Sequence, residues 1–191
     1  MTFINVLKCD SLQDSKEQLR SVIQNTVNQH NGSVFTVGLS GGSLPIILAD
    51  VLPTIKTDWK KWKFFFCDER LVSFNDPEST FGVYRSILVP KIPEISLNQF
   101  VTINPSLKTL NAAYDYLSKM KQFFSIKIEE EIPKFDLLFL GLGPDGHTCS
   151  LFPGHPLLNV CNVLNVCNLI FVCLFCRKIN DGFVTLAIHL R

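Results

Sequence analysis

The sequence predicts a single α/β domain with a mostly parallel sheet flanked by helices. Three observations lead there. Short apolar, β-rich runs alternate with stretches whose apolar residues recur at helical spacing, the pattern of successive βαβ units. Nearly every such run passes straight into a glycine-rich or charged cluster, as strands do at the carboxyl edge of a parallel sheet. A chain of 191 residues holds one sizeable core but not two.

Residues 12 to 31 set Leu12, Leu19, Val22, Ile23, Thr26 and Val27 on one helical face, and Asn31-Gly32 supplies a stop. Val34 to Leu39 is a buried strand that enters Ser40-Gly41-Gly42-Ser43. Leu44, Ile47, Leu48 and Val51 then repeat at helical spacing until Pro53. Lys63 to Cys67 is a second strand ending in Asp68-Glu69-Arg70, and Ser79 to Val89 is helical up to Pro90. Phe100 to Ile103 reads as a third, shorter strand. Leu107, Leu110, Tyr114, Leu117 and Phe124 mark the apolar stripe of a long helix ending before Pro133. Phe135 to Leu140 is a fourth strand, followed by Gly141-Leu142-Gly143-Pro144-Asp145-Gly146-His147. Right-handed crossovers between parallel strands bring all three polar clusters to one edge of the sheet. The stretches around residues 40, 70 and 147 are therefore expected to meet in one crevice.

Composition narrows the function classes. The chain is 47% hydrophobic and 18% charged, somewhat apolar and far from disorder. A net charge of +1 gives no reason to expect nucleic acid or an anionic membrane as partner. The first twenty residues show no charged segment followed by an apolar one, so no secretory signal is expected. Seven cysteines, an odd number, argue against a disulfide framework and for a cytoplasmic, reduced protein. Cys67 and Cys149 read as packing residues rather than nucleophiles.

Each polar cluster has a functional and a plain reading. Ser40-Gly41-Gly42-Ser43 turns tightly and presents N–H groups at a helix start, which suits a phosphate; alone it is equally a simple turn. Arg70 offers a planar fork for phosphate or carboxylate, while the same three charges also suit an ion pair that fixes the loop. His147 sits in a loop fixed by glycine and proline directly beyond a buried strand. Histidine as a residue type can take a proton from water and return it to a leaving group, with Asp145 orienting the ring. His155 reads as a turn residue, and His30 and His189 carry no supporting context.

Taken together, V-G-L-S-G-G-S at 37–43, F-F-C-D-E-R at 65–70, E-S-T-F-G at 78–82 and L-G-L-G-P-D-G-H-T-C-S-L-F-P-G-H at 140–155 resemble the glucosamine-6-phosphate isomerase/6-phosphogluconolactonase superfamily, lactonase branch. The resemblance runs over residues 1–158. It implies a Rossmann-like sheet and hydrolysis of 6-phospho-D-glucono-1,5-lactone to 6-phosphogluconate in the pentose phosphate pathway, with neither cofactor nor metal. On that likeness His147 is the general base and Asp68 positions or polarises the reacting group. Ser40, Gly41, Gly42, Ser43 and Arg70 hold the phosphate, and Asp145 and Gly146 are further substrate contacts. A sugar-phosphate lactone is then the partner, and a monomer is expected.

Residues 159–191 depart from the family pattern and read as a divergent Cys/Asn-rich apolar tail, an alternative or premature end lacking the family's last strands and helices. The spacing of Cys161, Cys167, Cys173 and Cys176 fits no common zinc site. The apolar run from Leu169 to Cys176 is 8 residues, short of a membrane span. The expectation is β-prone structure covering an otherwise open, apolar sheet edge. Two alternatives stand beside the lactonase: a glucosamine-6-phosphate deaminase-like isomerase, and a non-catalytic isoform.

Overall fold

The computed structural model describes residues 3–126, 133–155, 171–175 and 184–190. Among the described residues six strands form one sheet: β1 (Phe3–Cys9), β2 (Phe35–Leu39), β3 (Trp62–Phe66), β4 (Leu137–Leu142), β5 (Phe171–Phe175) and β6 (Val184–Leu190). Their order is β1-β6-β5-β4-β2-β3. β2 runs parallel to both β3 and β4, and β4 parallel to β5, while β6 is antiparallel to β5 and β1. The expected mostly parallel sheet flanked by helices is therefore present.

The chain leaves β2 for β3 on one side and later returns to β4 on the other. That reversal opens a crevice beyond the carboxyl ends of β2 and β4, because the two connections diverge there. Strand β3 is buried on both faces. Phe64 and Phe66 stack on Phe100 at 4.7 and 6.4 Å between ring centroids. Phe65, pointing the other way, meets Phe123, Phe124 and Phe135 at 5.1 to 5.3 Å. Alternation on a pleated strand is what sends neighbouring rings to opposite faces.

Helix α1 (Leu12–Gln29) starts at Ser11, whose hydroxyl accepts the Asp14 N–H at 3.0 Å, and buries Leu19 and Ile23. Helix α2 (Leu44–Val51) buries Leu44, Ile47, Leu48 and Val51, the positions its spacing predicts. Helix α3 (Thr80–Ile87) is capped by Ser79, whose Oγ accepts the Gly82 N–H at 3.0 Å. Helix α4 (Thr109–Phe123) completes the set.

Three points differ from expectation. Phe100 to Ile103 is no strand: Phe100 makes a single parallel bridge to Phe64, and the Val101 N–H bonds the Phe64 carbonyl at 2.8 Å. The chain then turns away, with Asn104 accepting the Ser106 N–H at 3.1 Å, so no second pairing forms. The proposed stripe of α4 is largely outward, with Leu110 and Tyr114 72% and 68% exposed. Its inward face is set by Tyr116, whose hydroxyl accepts the Phe66 N–H at 2.7 Å and donates to the Phe66 carbonyl at 2.9 Å. Strand β1 had no counterpart in the sequence reading. Where β-prone cover over an open edge is expected, the tail supplies β5 and β6, and β5 pairs with β4.

Candidate active site

Beyond β2, Ser40 is 3% exposed and its carbonyl accepts the Tyr84 hydroxyl at 2.9 Å. Its own hydroxyl hydrogen-bonds with the Cys149 thiol at 3.3 Å. Gly42 has φ +71, the left-handed region that glycine enters without a Cβ penalty. Ser43 is the N-cap of α2 and makes no side-chain cap bond. The second residue of the helix start, Pro45, has no N–H to satisfy.

Beyond β3 the three charges separate into distinct tasks. Glu69 turns to the start of α3: its carboxylate accepts the N–H groups of Thr80 and Phe81 at 2.8 and 3.0 Å and the Ser79 hydroxyl at 2.9 Å. A carboxylate there also meets the positive end of the helix dipole. Asp68 Oδ2 accepts the Ser150 hydroxyl at 2.7 Å, while its Oδ1 is buried with no hydrogen-bond partner among the described residues. Arg70 Nη1 lies 3.1 Å from Glu78 Oε2 in an exposed pair.

Beyond β4 the backbone closes a tight loop. The Gly143 N–H bonds the His147 carbonyl at 2.8 Å, and the Gly146 N–H bonds the Gly143 carbonyl at 3.0 Å. His147 Nδ1 is 2.5 Å from Asp145 Oδ1, and its ring lies 4.5 Å from that of Phe152. A Cβ at Gly143 would overlap the imidazole and approach Asp145, so the close packing of ring on backbone requires glycine. The hydrogen bond from His147 holds the Asp145 carboxyl below the usual range, aided by the His147 N–H. Two residues on, Cys149 has φ +52, a conformation that costs a side-chain-bearing residue about 1–2 kcal/mol.

These three loops line one cleft of about 510 Å³. Ser40, Gly41, Gly42 and Ser43 come from the first, Asp68 and Arg70 from the second, and Gly143, Pro144 and His147 from the third. The expected convergence is therefore observed. Asp145 and Gly146 do not line the cleft; Asp145 stands behind the imidazole and Gly146 shapes the turn. Glu78, Ser79, Thr80, Val83 and Cys149 line it as well, although the sequence reading singled none of them out as a contact. The E-S-T-F-G word was the available signal. Among the described residues no group of three or more His, Cys, Asp or Glu side chains gathers as metal ligands would. No helix among them is long and apolar enough to cross a membrane. His155 holds a turn through its N–H to the Phe152 carbonyl at 2.9 Å.

The parallel strands and the reversal of their order define an α/β protein with its cleft at the switch point of the sheet. The chain belongs to the glucosamine-6-phosphate isomerases/6-phosphogluconolactonase family, whose model matches residues 9–170. It is 52% identical over 132 residues to the 6-phosphogluconolactonase of Bos taurus, an alignment covering 66% of this chain and 50% of that protein. The chain thus spans about half the length of the curated relatives it matches. The crystal structure of the devB protein superposes with a TM-score of 0.65 at 26% identity, covering 94% of this chain and 71% of that one. The 6-phosphogluconolactonase from Trypanosoma cruzi gives a TM-score of 0.62 at 28% identity, covering 75% and 60%.

Proposed function

We propose that this chain hydrolyses 6-phospho-D-glucono-1,5-lactone to 6-phosphogluconate, with His147 as general base. The observation that carries the reading is the meeting of His147, Arg70 and the Ser40–Ser43 turn in one cleft.

The cleft is polarised by its two helix starts. Glu69 occupies the N–H groups at the start of α3, whereas Ser43 leaves those of α2 without a side-chain acceptor. An unfilled helix start with glycine before it attracts a phosphate, through its N–H groups and its dipole. Arg70, exchanging Glu78 for the ligand, adds a charge-assisted fork. With the phosphate fixed there, the lactone carbonyl lies toward His147, and remote binding lowers the entropic cost of attack.

Because Nδ1 faces Asp145, the imidazole keeps Nε2 for a water molecule. Nε2 takes the water's proton as oxygen attacks the carbonyl carbon, and Asp145 stabilises the imidazolium that forms. When the tetrahedral intermediate collapses, the ring C–O bond breaks and His147 returns the proton to the departing oxygen. Asp68 stands by with an unsatisfied Oδ1, an acceptor suited to a substrate hydroxyl or the water. The same reading takes the chain as a cytoplasmic monomer with a small-molecule partner and no nucleic acid, in keeping with its net charge of +1.

The test is acid release from the lactone by the purified chain, measured against spontaneous opening and beside ammonia release from glucosamine-6-phosphate. Acid release above background, without ammonia, is expected. A chain that melts cooperatively yet leaves the lactone at its spontaneous rate overturns the proposal, and ammonia release redirects it to the isomerase.

A further inference from the structure

Cys149 lines the cleft and Cys67 packs against the same leucines beneath it, and the proposed hydrolysis uses neither thiol. One follows β3 and the other closes the loop after β4, so they belong to strands separated by β2. The intervening strand, β2, carries glycine at residue 38. A Cβ there would come within 2.9 Å of the Cys67 sulfur and would collide with Leu138. Both thiols pack against the same two leucines, Leu138 and Leu140. Cys149 also bonds Ser40 Oγ at 3.3 Å and lines the cleft, which gives a small oxidant a route to it. Its left-handed backbone, φ +52, is held in place by those side-chain contacts.

Reactivity follows the same contacts. The hydrogen bond with Cys67, and after it that with Ser40, holds the Cys149 thiol below its ordinary range, against burial and the Asp68 charge. Thiolate character together with access is what selects a cysteine for oxidation.

We propose that Cys67 and Cys149 form a dithiol site that hydrogen peroxide converts to a disulfide at the floor of the cleft. The Cys149 thiolate attacks one peroxide oxygen, the O–O bond breaks, and the second oxygen leaves as water once protonated. Cys149 is then a sulfenic acid. The Cys67 sulfur attacks the Cys149 sulfur, the S–O bond breaks, and a second water leaves. In sum, two thiols and one peroxide give one disulfide and two waters. Bonding to Cys67 removes the Cys149 proton shared with Ser40 and draws the loop carrying His147 toward β3. The effect on turnover rests on the lactonase reading, while formation of the disulfide does not.

The experiment exposes the reduced full chain to hydrogen peroxide, blocks remaining thiols, and digests with chymotrypsin without reductant. Peptide 67–71 joined to peptide 143–151 is expected, separating again with dithiothreitol. Lactone hydrolysis should fall about a hundredfold in step with the linkage and return on reduction, the scale of loss that follows a misplaced catalytic group. In Cys67→Ser, Cys149 should stop at a dione-trappable sulfenic acid with no linked peptide. The proposal is overturned if both thiols are recovered blocked, if either is joined to a tail cysteine, or if Cys67→Ser loses and regains activity as the parent does. Mapping the parent alone decides the matter should the variant not fold. A linked pair in a chain that never hydrolyses lactone would retain the dithiol and remove the lactonase reading.

Discussion

His147 and Asp145 lie two residues apart in a loop whose turn sets one ring nitrogen on a carboxylate and leaves the other for water. Removing the ring in His147→Ala should lower the rate by about 10²–10⁴-fold, the usual contribution of a positioned base. The melting temperature should barely move, since the ring is partly exposed at the cleft. Unchanged hydrolysis in steady-state assays would remove His147 from the mechanism. Arg70 makes a different case. Its guanidinium pairs with Glu78 at the exposed rim, so Arg70→Ala should raise KM for the phosphorylated lactone well beyond any fall in kcat. Equal loss in both would place Arg70 at the reacting carbon instead. The histidine and the arginine were legible in the sequence because each stands directly after a strand. Glu69 was not separable from its neighbours there, since three adjacent charges carry no mark of which one turns back to a helix.

At the scale of elements, Glu69 ties the end of β3 to the start of α3, and α3 in turn holds the β2 turn through Tyr84 and the Ser40 carbonyl. Hydrogen bonds to a charged group contribute about 1.5–3 kcal/mol each in favourable settings, so Glu69→Ala should cost on the order of 2–3 kcal/mol in denaturant unfolding. A midpoint unchanged from the parent would show the cap to be dispensable. Asp50 of α2 is a weaker tie, accepting Lys16 of α1 at 2.7 Å and Lys91, after α3, at 3.0 Å. The hydrogen bonds from Lys16 and then Lys91 hold its carboxyl below the ordinary 3.8. A carboxyl depressed by folding stabilises fully above its unfolded value, and that gain is lost as pH falls through the lower folded value. Asp50→Asn should therefore melt slightly below the parent near neutral pH, with the gap closing only below 3.8. A gap that persists in acid would mean the tie is not ionic. Helices α1 and α2 were readable from their apolar spacing, and α3 from its bounds at Ser79 and Pro90. The exposed stripe of α4 was misread because spacing cannot tell which face a single tyrosine will anchor.

Across the whole molecule, the parallel half of the sheet followed from alternating strands and helices, but the place of its other half did not. Residues 3–9 carry too short an alternation to announce β1, and its partner lies at the far end of the chain, so only the fold brings them together. β6 pairs β1 from Phe3↔Leu190 to Cys9↔Val184, and β5 pairs β4 from Leu138↔Phe171 to Leu142↔Phe175. In the sheet order these two strands stand between β1 and the remainder, so β1 reaches β4 only through them. A chain ended at Leu158 loses both. Strand β1 then has no ladder partner, and one edge of β4 exposes unpaired backbone beside the apolar Leu138 and Leu140. Such a chain should lose its cooperative thermal transition by circular dichroism and elute as aggregate from a sizing column, whereas the 191-residue chain should melt in one step. Lactone hydrolysis should disappear with it, because the loop that carries His147 leaves β4 at its carboxyl end. A shortened chain that melts with the parent and turns over lactone would show that residues 159–191 add nothing to the sheet, and that the domain is complete at Leu158.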